Sequence, residues 1–389
     1  MCLLFFSLLL QFIFGNINIE SFRYPTNVLL LLELIAGIAG LHFFLRKTAI
    51  VRWLSSPSAA ISAILFFSIW VIIMATIPQN SKGNLIFNIN DVVYTWMFVT
   101  SVLFLLISLG LVTFRRLTPF NLKNGSFLIN HFGLWLTLAA GILGAADRTE
   151  LMMQVYEKQV IWYGQDKNGK TVELPLAIRL EDFVMKSHPP KIALIDSTGK
   201  PYKSKGDQLT EVTGTAIKTI DGCQISITQY LPDAKWNGVK FINAPGMPAV
   251  APAALVNIDY GEVMLDDVWI ASGSYSQFPV AYPLEKNKLL ALLPPEPSYF
   301  GSKVTLYAQS DSSATTEIIS VNQPVSCEGW TIYQYGYDNQ LGNDSQYSTF
   351  MLLKDPWLPI VYIGIILMMM GALLLMFTKI KVKNKEVQL

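Results

Sequence analysis

The chain has 389 residues, 52% hydrophobic and only 15% charged, with a mean hydropathy of +0.38 and a formal charge of +1 at pH 7. Soluble domains carry about 25% charged residues, so the shortage is of the groups a bilayer excludes, and an ordinary cytosolic enzyme is ruled out. Twenty-nine Lys and Arg against 28 Asp and Glu give no basic field for nucleic acid, and three Cys with three His exclude zinc-finger, iron–sulfur and disulfide-scaffold classes.

A membrane-spanning helix needs about 20 predominantly apolar residues. The first apolar run, residues 2–15, is short. It reads either as a short spanning helix or as a signal-like segment, although it has no basic start and no small-residue cleavage site. Clear spans are predicted at 26–45, 59–77, 93–114, 127–146 and 358–378. Arg46, Lys47 and Arg52 follow the second span, Arg115, Arg116 and Lys123 follow the fourth, and Lys379, Lys381, Lys383 and Lys385 follow the last. The alternate loops hold only Arg23 and Lys82. Six alternating helices with both termini cytoplasmic put every basic cluster on one side.

The expected organisation is a membrane protein of about six transmembrane α-helices with one large extracytoplasmic β-rich domain inserted before the last helix. Residues 1–54 hold two N-terminal helices, 55–146 a three-helix core, 147–355 the outside domain, and 356–389 the last helix with a basic tail. The outside domain is rich in turn residues and in short β-prone runs: Gln224–Tyr230, Ala254–Tyr260, Lys303–Ala308, Ile318–Val321, Trp330–Tyr335 and Ser348–Leu353. Such runs predict a sandwich or meander, close to the bilayer because both its ends are membrane helices. Cys223 and Cys327 lie in this domain and read equally as one disulfide or as two unpaired core cysteines. Asp266-Asp267 reads as a turn, and no hydrolase, P-loop or dinucleotide motif sits in a supporting context.

Ionisable residues inside spans are costly and each needs a partner or a purpose. His131 lies four residues into the fifth span. Gly133, Thr137, Gly141 and Ala145 form a small-residue stripe on one face of that helix, suited to close approach of another helix. His131 points away from the stripe, with Trp135 one turn on along its own face. An imidazole beside a flat aromatic suits a planar metal macrocycle, with His131 as axial ligand to the iron and Trp135 stacked nearby; a His bonded to a neighbouring helix or to water is the other reading. His42, at a similar depth in the second span, reads as a second ligand or, more simply, as an interfacial His beside Arg46 and Lys47. Glu33 occupies the opposite face of that span, with Arg148 at a level to pair with it. His188 reads as solvated.

Asn130-His131-Phe132-Gly133-Leu134 resembles the opening of the third core helix in the ResB family of System II cytochrome c biogenesis. Ser55–Gln79, ending in Ile77-Pro78-Gln79, resembles the first core helix, and Trp96–Arg116 the second. Val321-Asn322-Gln323-Pro324, Gly329–Gln334 and Lys354-Asp355-Pro356-Trp357 resemble the family's C-terminal stretch. The likeness covers 55–146 and 320–378, and the rest of the outside domain only in character. It implies a subunit in the bacterial inner membrane, its large domain periplasmic, that helps carry haem b across and present it to apocytochrome c. It also implies a CcsA/ResC-type partner with which haem is shared, and His131 as the haem ligand. The tryptophan-rich segment of that partner is absent, so the chain is not expected to complete the synthase reaction alone. Helices 2–15 and 26–45 precede the family's usual core. A membrane-anchored sensor or binding module without haem is the competing reading; a secondary transporter is disfavoured, since no inverted repeat is seen.

Overall fold

The computed structural model describes residues 2–79, 86–118, 121–200, 209–261, 263–285, 287–310 and 312–386; Lys82 lies outside them. It separates into two compact units, residues 1–149 with 355–389, and residues 150–354.

The first unit is helical: α1 (Cys2–Phe14), α2 (Thr26–Leu45), α3 (Ala49–Leu54), α4 (Pro57–Thr76), α5 (Trp96–Leu117), α6 (Gly125–Leu143) and α7 (Leu358–Glu386). Local chemistry sets several of these starts. Ser56 caps α4 by accepting from Ala59 N–H, with Pro57 at the first helical position, and Thr95 caps α5 through Phe98 N–H. Among the described residues, five helices are long and apolar enough to cross a membrane: Thr26–Leu45, Pro57–Thr76, Trp96–Leu117, Leu122–Ala146 and Leu358–Phe377. The sixth expected one, α1, has 13 residues and is about 20 Å long, short of the ~30 Å hydrocarbon layer. Its Gln11 side chain accepts from Trp96 N–H (2.9 Å) and so fastens α1 to the start of α5.

α6 and α7 pack along the expected small-residue stripe. A Cβ at Gly133 would lie 2.7 Å from Gly364 O, and one at Gly364 would lie 2.8 Å from Thr137 N. Gly371 similarly admits Asn130, whose Nδ2 donates to Met368 O (2.8 Å). Side chains at these glycines would force the backbones apart, which is why small residues recur on both helices.

The second unit is antiparallel β. Its strands begin with β1 (Thr149–Tyr156), β2 (Val160–Gln165), β3 (Thr171–Ser187), β4 (Lys191–Ile195), β5 (Leu209–Glu211) and β6 (Ala216–Ile220). Then come β7 (Cys223–Trp236), β8 (Phe241–Asn243), β9 (Ala251–Tyr260), β10 (Val263–Ala271), β11 (Ala281–Glu285) and β12 (Lys288–Leu292). The last are β13 (Pro297–Ala308), β14 (Ala314–Ser320), β15 (Val325–Cys327), β16 (Trp330–Tyr337) and β17 (Tyr347–Lys354). All six β-prone runs read from the sequence fall in or along strands.

An eight-stranded sheet runs β14-β13-β3-β2-β1-β17-β16-β15. Ile319 of β14 and Ile332 of β16, from opposite ends of that order, share one core with Leu151, Ile178 and Phe350, so the sheet curls on itself. The β10-β9-β7-β6 sheet, with β8 on β7, and the β11-β12-β4-β5 sheet bury a second core between them, including Ile192, Ile225, Val256 and Leu290. Asp266-Asp267 lies inside β10 rather than in a turn. It forms a bulge in which Asp267 takes φ +59 and its N–H bonds Asn257 Oδ1 (3.0 Å).

No disulfide joins Cys223 and Cys327. Cys223 is fully buried in the second core, while Cys327 packs against the first. The two cysteines thus belong to different cores.

Candidate functional site

The site builds around the N-terminal half of α6. His131 is half-buried, and its Nδ1 lies 3.1 Å from the carbonyl oxygen of Phe127 one turn earlier. A carbonyl only accepts, so Nδ1 carries the proton and, in the neutral ring, Nε2 keeps its lone pair. Among the described residues Nε2 makes no hydrogen bond. Metal-binding imidazoles show this arrangement, one nitrogen held by a carbonyl and the other left basic. The donor chemistry thus fits one axial bond to a haem iron. No group of three or more His, Cys, Asp or Glu able to hold a bare metal ion occurs among the described residues.

The ring also stacks on Phe127, centroids 3.6 Å apart and planes 23° from parallel. The Arg116 guanidinium lies 4.8 Å from that Phe127 ring and reaches Asn124 Oδ1 at 3.5 Å. The aromatic beside His131 is therefore Phe127, with a cation next to it. Trp135, expected there, is only 6% exposed, and its Nε1 donates to Leu106 O (3.0 Å) on α5. The reason is geometric: α5 approaches closely at Gly110, and the indole fills that contact.

His42, in the last turn of α2, is buried among the helices, at 4% exposure. Thr118 donates its hydroxyl to Phe114 O (3.0 Å), so the 2.6 Å contact with His42 uses an Nε2–H donated to Thr118 Oγ1. The ring further stacks with Phe114. Its Nε2 is committed to joining α2 and α5, and the structure does not bring His42 and His131 onto one ligand. Glu33 is exposed on α2, and among the described residues it makes no hydrogen bond or ion pair.

Sequence reasoning missed the cluster at the other end of α6. Asp147 accepts from Tyr24 N (2.8 Å), Asn27 Nδ2 (2.7 Å) and Trp357 Nε1 (2.8 Å). Asn27, fully buried, also donates to Leu143 O (3.2 Å), and Arg23 Nε donates to Ala146 O (3.2 Å). Burial would raise the Asp147 carboxyl, but the bonds from Asn27, Tyr24 and Trp357, with Arg23 nearby, hold it below the usual carboxylate range. The cluster ties α2, α6 and α7 together and so fixes the helix that carries His131. Asn27 and Trp357 stand 120 and 210 residues from Asp147, a separation no local pattern reveals.

In the β unit, Lys288 is buried against Asp221 (2.9 Å) and Tyr260 OH (2.8 Å). Burial opposes its charge, but these two partners hold its pKa above the ordinary lysine value. An open cleft of about 500 Å³ lies between Trp236, Phe241, Trp269 and Phe278, with Lys235 at its edge.

No curated protein matches the chain. Residues 276–345, from the approach to β11 through β16 and the turn at Gly342–Asp344, match the model of the ResB-like family, so that stretch is similar to the family that the sequence motifs resemble.

Proposed function

We propose that the chain is the haem-delivery subunit of a System II cytochrome c maturation complex in the bacterial inner membrane. It acts with a CcsA/ResC-type subunit and presents haem b for attachment to apocytochrome c outside. The observation that carries this reading is the state of His131: Nδ1–H given to Phe127 O and Nε2 left basic, inside an apolar helix of a chain whose residues 276–345 are similar to the ResB-like family. Haem is cargo here, and its iron needs only exchangeable axial bonds. His131 supplies one, and a His of the partner supplies the other, so retention depends on assembly. Phe127 holds the imidazole plane by stacking, and Arg116 offers a cation for a propionate. Trp135 and His42 hold the helices that orient His131.

The three basic clusters support cytoplasmic termini and a periplasmic β domain, and on that reading His131 lies in the inner-leaflet half of α6. The test is a visible spectrum of the full chain purified with its co-expressed partner. His131→Ala should lose the co-purifying Soret band, and His42→Ala should keep it. Equal haem in wild type and His131→Ala would remove the ligand assignment. The aromatic cleft at Trp236 and Phe278 supports the second reading, an extracytoplasmic binding module without haem. Absence of a Soret band with and without the partner would favour it.

A further inference from the structure

α2 buries one face and leaves the other open. Ile38 and His42 are buried, and Leu31, Leu34 and Leu41 pack against the same helical core. On the opposite side Leu29, Glu33, Gly37 and Phe44 are exposed in steps of about one or two turns, with Gly40 between the last two. A Cβ at Gly37 or Gly40 would meet nothing within 4 Å, so the backbone is bare there. Glu33 sits seven residues past the first residue of α2, about 10 Å into the apolar span. It makes no hydrogen bond or ion pair among the described residues. A carboxylate has too short a stem to reach the membrane surface from there, and lipid tails offer it nothing.

We infer that this face of α2 is a docking surface for a transmembrane helix of a different polypeptide, one that brings a Lys, Arg or His to the level of Glu33. The glycine notch lets that helix approach closely, and the carboxylate fixes its register. Charge complementarity selects this occupant over a second copy of the chain. Two copies inserted the same way would set Glu33 against Glu33, and their Arg46 would lie about 20 Å farther along the helix. Arg23, beyond the other end, donates to Ala146 O. The inference does not rest on the haem reading.

The test places a photo-reactive phenylalanine analogue at Phe44, and separately at Leu29, in the full chain in its own cells. Both probes should give one protein adduct whose cross-linked peptide, read by mass spectrometry, is an apolar span carrying a basic residue. Its yield should fall on the order of tenfold or more in Glu33→Ala and Glu33→Lys, and in Gly37→Leu, at equal amounts of chain in the membrane. Exchanging the partner's basic residue for Glu should restore the yield with Glu33→Lys. Glu33→Gln, which keeps the shape, guards against misfolding and should also lose yield. Adducts with lipid alone, with a second copy of this chain, with a span lacking a basic residue, or unchanged in Glu33→Ala would each overturn the inference.

Discussion

The two ends of α6 treat polar groups in opposite ways. At its C-terminal end the polar groups form a closed cluster: Asp147 takes three donors, and Leu143 O and Ala146 O take Asn27 and Arg23. At its N-terminal end His131 has one nitrogen fixed and the other uncommitted. A closed network adds stability and leaves nothing for a ligand, whereas a half-satisfied imidazole is oriented and still able to bind. Polarity inside a span therefore does not by itself mark function.

The largest effect expected on this contrast comes from the seam that holds both ends in place. Gly133→Leu or Gly364→Leu drives a side chain into the facing backbone, and about 1–3 kcal/mol or more of destabilisation should appear in thermal unfolding of the detergent-solubilised chain. Loss of tertiary near-ultraviolet dichroism at unchanged helix content would be the accompanying sign.

Next comes the closed end. Asp147→Ala strands the Asn27 and Trp357 donors and should cost about 1–3 kcal/mol. Because the folded Asp147 carboxyl is depressed, its contribution is complete above the ordinary carboxylate value and is lost as pH falls through the lowered folded value. The melting temperature should drop over that acidic range in the wild type. The part of the slope due to Asp147 should vanish in Asp147→Ala; an identical slope in both would show that the network is not what titrates.

His131→Ala should be smaller still in stability, within about 0.5 kcal/mol, since only a local bond to Phe127 O and a ring stack are removed. A large loss of stability there would erase the difference between the two ends. Smallest of all is the response of the β unit to oxidation. Burial pushes the Cys223 thiol up to about 11. A maleimide at pH 8 should therefore leave Cys223 unlabelled in the folded chain, and non-reducing electrophoresis should show no internal cross-link.

Much of this architecture is written locally in the sequence. Twenty-residue apolar runs locate the spans, and the four-residue recurrence of Gly133, Thr137 and Gly141 identifies the α7-facing side of α6 before α7 is known. Alternation locates β7, β9, β13, β16 and β17. The 17-residue β3 was harder to see, because Pro175 and the charged Arg179, Glu181 and Asp182 interrupt its apolar pattern. What fixes these residues is pairing with β13 over most of its length, a contact about 120 residues away. At the site, the position of His131 was legible from its motif, but its neighbours were not. Helical spacing places Trp135 on the same face, yet the close approach of α5 at Gly110 draws the indole inward and leaves Phe127 as the stacking ring. Asn27, Asp147 and Trp357 each look ordinary alone; only the fold makes them one cluster.

The glycine seam also sets an order of events. The face of α6 bearing Gly133 is completed by a helix that the ribosome produces only after more than two hundred further residues, the whole β unit among them. Until then that groove lacks its partner helix, and Asp147 lacks its tryptophan donor. The closing span thus acts as a bolt slid home last, so that a chain cut short before it would leave α6, and the imidazole it carries, without a fixed bearing.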